Sequence, residues 1–212
     1  MKTTSPFSLN RRLVLAGASA IVLAGCSDIL GPPDAPKLFV LKSGTAAAAT
    51  GPKVSWALSI QLPDASAALD TQRIAIMRPP ASLDYYADAA WSDHLPALVQ
   101  TALLEAFESS GCIAAVARDS DAARADYILV ADLRDFEARY DQPDGAPTAV
   151  VHIGAKMVSA LKRDIAARFD AAEEVQATQN SVDAAVAALD EALSRAIAKI
   201  ITWALSLPAP AE

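Results

Sequence analysis

"ADYILVADLRDFEARY" (Ala125–Tyr140), "TAVVHIGAKMVSALK" (Thr148–Lys162) and "RDIAARFDAAEEVQAT" (Arg163–Thr178) follow one another with only "PDGAP" (Pro143–Pro147) as a marked break. The first segment opens apolar on both faces, as a strand flanked on each side does. Its alternation changes phase near Asp132, which predicts a bulge or an end there. In the second, Ala149, Val151, Ile153, Ala155, Met157 and Leu161 share one face, with Thr148, His152 and Lys156 on the other. In the third, Ile165, Ala167 and Phe169 alternate with Asp164, Ala166, Arg168 and Asp170. Period-two patterns joined by a turn loop predict an antiparallel meander with one solvated face.

Outward from this core, two stretches carry the helical period instead. His94 to Ser109 puts Leu95, Leu98, Val99, Ala102, Leu103, Ala106 and Phe107 on one stripe, with Ser92 or Asp93 as cap and Gly111 as stop. Ser181 can cap a longer helix to about Leu205, striped by Val182, Ala185, Val186, Leu189, Leu193, Ile197, Ile200 and Ala204. Glu191 and Arg195 are spaced to pair on its outer side. "KLFVLK", "VSWALSIQL", "RIAIM" and "CIAAVAR" add further strands. The expected fold is α+β: a mainly antiparallel sheet with two amphipathic helices packed on one face.

The chain has 212 residues, 53% of them hydrophobic and 20% charged, with a formal net charge of −7. It can bury a real core. It lacks the basic surface that nucleic acid requires, so no nucleic-acid partner is expected. Its two cysteines are Cys26 and Cys112. "SGCIAAVA" places Cys112 at the start of a strand, as a small apolar core residue.

The first 25 residues carry Lys2, Arg11 and Arg12 and no acid, then a twelve-residue apolar run, Leu13–Ala24. That run is short of the roughly 20 residues needed to span a bilayer. A positive start, a short apolar middle and small residues at its end describe a secretory signal peptide. "NRRLVL" (Asn10–Leu15) is only superficially like a twin-arginine signal, because Val14 stands where a phenylalanine or leucine is usual. "LAGC" (Leu23–Cys26) is similar to the lipobox of bacterial lipoproteins. That implies a signal peptide over 1–25, cleavage before Cys26 and acyl chains on Cys26. Removing the leader deletes three positive charges, taking the formal charge from −7 to −10. Such a body is not held to anionic lipid by charge; two or three acyl chains would anchor it. Ser27, standing where many lipoproteins retained at the inner membrane have aspartate, favours the outer membrane.

Residues 26–36, with three prolines in "SDILGPPDAP", read as a lipidated tether, and the folded domain is expected over 37–207. "RPPASLDYYADAAW" (Arg78–Trp91) reads as an irregular connection rich in amphipathic aromatics. Tyr85, Tyr86 and Trp91 either pack this segment onto the sheet or meet a partner or a lipid, and they are the candidate binding residues.

Catalytic signatures are missing. The two histidines, His94 and His152, have no neighbouring ligand at metal spacing. HExxH, paired CxxC, Walker A and GxSxG patterns do not occur in the part that would remain after cleavage. "DFEARYD" reads as a solvated strand end rather than an acid–base pair. Neither an enzyme nor a bound cofactor or metal is expected.

The order of lipobox, "LFVL" strand, second strand and "RIAIMRPPASLDYYADAAWSDHLPALVQTALLEAFESSG" (Arg73–Gly111) resembles the ABC-type transport auxiliary lipoprotein family. The likeness in pattern runs over about Lys37–Leu205. It implies a non-catalytic lipoprotein, anchored in the outer membrane and facing the periplasm. Such proteins accompany an ABC permease, its ATPase and a mammalian-cell-entry (MCE) domain protein, some at paraquat-inducible loci, and move lipids or other hydrophobic molecules. A stand-alone lipid-binding shuttle is the alternative.

Overall fold

A 13-residue strand organises the sheet. The computed structural model describes residues 35–42, 51–121 and 123–209, and residues from Pro36 onward form one compact unit. The strands are β1 (Lys37–Phe39), β2 (Val54–Ile60), β3 (Asp64–Ala65), β4 (Arg73–Arg78), β5 (Ser82–Trp91), β6 (Ile113–Arg118), β7 (Tyr127–Arg139), β8 (Thr148–Ser159) and β9 (Ile165–Gln176). The helices are α1 (Leu95–Ser110) and α2 (Val182–Leu205).

The long strand is β7. At about 3.3 Å per residue it outruns any single neighbour on one edge. Three short strands therefore share that edge in turn: β2 at Tyr127–Leu129, β3 at Asp132–Leu133 and β4 at Glu137–Arg139. All three run parallel to β7, because the chain travels along it once from β2 to β4. β5 then doubles back on β4, and β1 lies parallel to the end of β5. Helix α1 carries the chain back so that β6 joins β2 in parallel. The other edge of β7 holds the antiparallel meander β7–β8–β9.

The expected mainly antiparallel sheet is thus corrected. Among the described residues the fold is α+β with two helices, but five of the eight strand pairings are parallel. Strand patterns record which face is buried and leave direction to the connections.

Both helices feed one core. Leu189, Leu193, Ile197 and Ile200 of α2, with Val99, Leu103 and Phe107 of α1, close over Leu129, Leu133, Val151, Ile153 and Met157. Ala188, Ala192 and Ala196 are also buried on α2, and such small side chains let a helix approach a sheet closely. The Ser181 hydroxyl accepts from the Ala184 N–H as the α2 cap. At α1 the expected caps are not used: His94 occupies the N-cap with no side-chain hydrogen bond to the helix, and Asp93 accepts from the His94 N–H instead. Gly111 closes α1 at φ 60°, a left-handed conformation open to glycine.

The predicted phase change in β7 is a register shift between Leu133 and Asp135, so Leu133 and Phe136 both reach the core. A second shift, between Met157 and Val158, turns Ile165 to the outer face beside Val158. Leu161 lies beyond the end of β8 and is 75% exposed. The inward facing expected of Leu161 and Ile165 is therefore corrected. Cys112 is half-buried, packed against the core, with its Sγ 3.3 Å from the Ser110 carbonyl.

Candidate functional site

Cys26, the leader and most of the tether fall outside the described residues. The body begins where β1 lies beside Ala89–Trp91 of β5, and Lys37 pairs with Asp183 in the first turn of α2. The chain therefore enters the domain next to the aromatic segment. A groove of about 340 Å³ opens at this corner between Leu38, Phe39 and Val40 and the Asp183–Asp190 stretch of α2.

The aromatic segment is a strand, not the irregular connection expected, although its register against β4 shifts between Tyr85 and Ala90; the Pro79–Pro80 pair, joined by a cis peptide, is confined to the turn before it. Three environments result. Trp91 is 1% exposed and meets Phe136 edge-on at 6.0 Å, so its ring is part of the core. Tyr85 is half-buried; its hydroxyl donates to the Ala68 carbonyl and the Arg73 guanidinium lies 3.7 Å from its ring centre. Tyr86 is half-buried and hydrogen-bonds Tyr140, whose hydroxyl in turn donates to Asn180. Burial, then the Tyr140 contact, holds the Tyr86 hydroxyl far above its ordinary ionisation range. Among the described residues β1 covers only the end of β5, so Ser82–Tyr85 pair with β4 on one side alone, and Tyr86–Asp88 lie within a register shift between the two strands. Tyr85, Tyr86 and the exposed Leu83 lie along that free edge. Free strand edges accept another chain readily.

The outer face of the meander carries a network that sequence reasoning missed. Arg134 of β7 reaches over β8 to Asp170 of β9 and also pairs with Asp132. It crosses at Gly154, where a Cβ would stand 2.7 Å from its guanidinium, so glycine leaves the space the arginine fills. His152 lies between Asp135 at 3.3 Å and Asp170 at 3.5 Å. One turn of pleat further along, Arg139 forms a two-pronged bond with Glu174 that raises the arginine's pKa and lowers the carboxylate's. The arrangement ties three strands together. The signal in the sequence was the Gly154 interruption of β8, legible only once its neighbours were known.

"DFEARYD" is also corrected as a uniformly solvated end. Glu137 is 6% exposed, and burial, with the nearby Asp135 charge, pushes its carboxyl up to about 7. The Phe136 N–H donates to it, and Arg139 opposes the shift. His94, the other histidine, pairs with Asp70 at the surface. No group of three potential metal ligands converges among the described residues.

With this geometry in hand, comparison with known proteins is informative. Residues 39–201 match the model of the family described as the ABC-type transport auxiliary lipoprotein component. An uncharacterized protein of Bradyrhizobium diazoefficiens is 33% identical over 151 residues, 71% of this chain. The chain spans only 40% of that relative's length. A solved structure from Xanthomonas campestris is 28% identical, with a TM-score of 0.73, covering 80% of this chain and 95% of the other. A second solved chain, of an uncharacterized protein, shares the fold at 13% identity and a TM-score of 0.63.

Proposed function

The chain belongs to the ABC-type transport auxiliary lipoprotein component family, and from that premise we propose that it is the non-catalytic, periplasm-facing partner of an MCE-type transport system. The observation that carries this reading is the family match over almost the whole described body. In this reading residues 1–25 are removed, Cys26 is acylated in the outer membrane, residues 26–36 act as tether, and 37–207 dock on the MCE-domain protein. The permease and ATPase of the same system supply passage and energy, and the cargo is lipid or another hydrophobic molecule. The lipobox supports the anchor, and the chain's entry beside β5 supports a docking role for that strand.

Docking is assigned to the free edge of β5, through Tyr85 and Tyr86. Trp91 supports the edge from beneath by packing on Phe136. Photo-cross-linking in cells from position 86 tests this. The expected product is an adduct with an MCE-domain protein, lost in Tyr86→Ala; adducts only to unrelated proteins would refute it.

A further inference from the structure

One end of the meander differs in chemistry from the rest of this acidic protein. Across the last row of the outer face, register sets Ile128, Val158 and Ile165 side by side. The next row inward is Val130, Lys156 and Arg168, and the third is Asp132, Gly154 and Asp170, bridged by Arg134. Beyond the first row the β8–β9 turn carries Leu161, 75% exposed, with Lys162 and Arg163 next to it, and Ile165 is 45% exposed. A groove of about 330 Å³ runs beneath Arg163 over Ile128, Val130 and Val158.

Lys156, Lys162, Arg163 and Arg168 form no ion pair among the described residues. The acids closest in chain and register are Asp164, inside the turn, Asp126, whose carboxylate accepts from the Ala57 N–H, and Asp170, one row back and bridged by Arg134. Arg163 sits at φ 56°, a conformation that costs a side chain about 1 kcal/mol and that glycine adopts freely. An arginine held there points to a use for its charge.

This end lies far from where the chain enters. Lys37 pairs with Asp183 at the start of α2, whereas Phe169 of β9 stacks on Trp203 near its end. The 24-residue helix between them is about 36 Å long.

We propose that the β8–β9 end docks on the surface of an anionic phospholipid bilayer, with Leu161 and Ile165 entering the headgroup region and Lys156, Lys162, Arg163 and Arg168 meeting lipid phosphates. The order of groups favours lipid over an acidic protein. An apolar tip leads, cations follow and paired carboxylates lie farthest back, which is the sequence of hydrocarbon, phosphate and water in a bilayer. Residues 36–212 lose three cations and two anions of the leader and tether, so their formal charge is −8. An anionic surface therefore repels the body as a whole and attracts this cluster of cations, which favours the orientation.

The test uses residues 36–212, which form one compact unit with its own core. Without Cys26, its outcome is independent of the acyl anchor. Co-sedimentation is measured with vesicles of phosphatidylcholine alone and of equal parts phosphatidylcholine and phosphatidylglycerol. Binding is expected to the mixed vesicles only, and to weaken with salt. Lys162→Ala and Arg168→Ala should each reduce it about fivefold, the effect of one cation near an anionic surface. Leu161→Ser should weaken binding at every salt concentration, with thermal unfolding of all variants unchanged. Equal binding to both vesicle types, or variants that bind as the parent does, would overturn the proposal. So would absent vesicle binding combined with loss, in the same variants, of a protein cross-link in cells, which would make this end a protein-docking site.

Discussion

Trp91 and Tyr86 stand five positions apart on one strand and answer to different physics. Removing the Trp91 ring empties a fully buried site against Phe136, so Trp91→Ala should cost about 3–5 kcal/mol in chemical denaturation. Tyr86→Phe loses one hydrogen bond to Tyr140 and should cost only about 1 kcal/mol. A binding defect in Trp91→Ala would therefore report unfolding, whereas one in Tyr86→Ala, judged against Tyr86→Phe, reports the surface. Glu137 makes a prediction of opposite kind. Its carboxyl is raised from 4.5 to about 7, so between those values the folded protein keeps a proton that the unfolded chain has released. Stability from this group is complete below pH 4.5 and declines as pH rises through about 7, by about 3 kcal/mol in all. Glu137→Gln should remove that decline and melt higher than the parent at pH 8. A parent stability that does not fall across this interval would contradict the assigned burial.

At the scale of elements, much was legible. The 3.6-residue stripes located both helices within a residue or two, because a buried helix face is written directly in spacing. Ser181 as cap of α2 is a local matter, one hydroxyl against one N–H three residues on. Ser181→Ala should lower stability by about 1 kcal/mol, read from the midpoint of urea unfolding. The β7 bulge was legible for the same reason, since a phase change in alternation is a property of one strand. Strand β5 was not. Its two prolines and mixed residues suggested irregular chain, and its extended form comes from pairing at its two ends with β4 and β1, whose positions alongside it are set by the fold. The Arg134–Asp170 bridge was hidden likewise: it joins residues 36 apart through a gap that only Gly154 provides.

At the scale of the whole molecule, the proposed acyl attachment and the folding of the body can be tested apart. Cys26→Ser is expected to abolish incorporation of labelled fatty acid and to release the protein from the membrane fraction. Full acylation of that variant would refute the proposed attachment point. In the opposite direction, residues 36–212 should unfold cooperatively on their own, as expected of a compact unit in which nearly all buried apolar residues share one cluster.

Family, helices and meander were decided by the sequence alone, because each rests on neighbouring residues or on a fixed period along one element. Strand direction, the burial of Trp91 and Glu137, the bridge over Gly154 and the outward turn of Leu161 and Ile165 were decided only by the tertiary structure. Each depends on which distant segment lies alongside. A single strand's pattern records that one face is buried, but the partner that buries it, and the direction in which it runs, are set by the path of the whole chain.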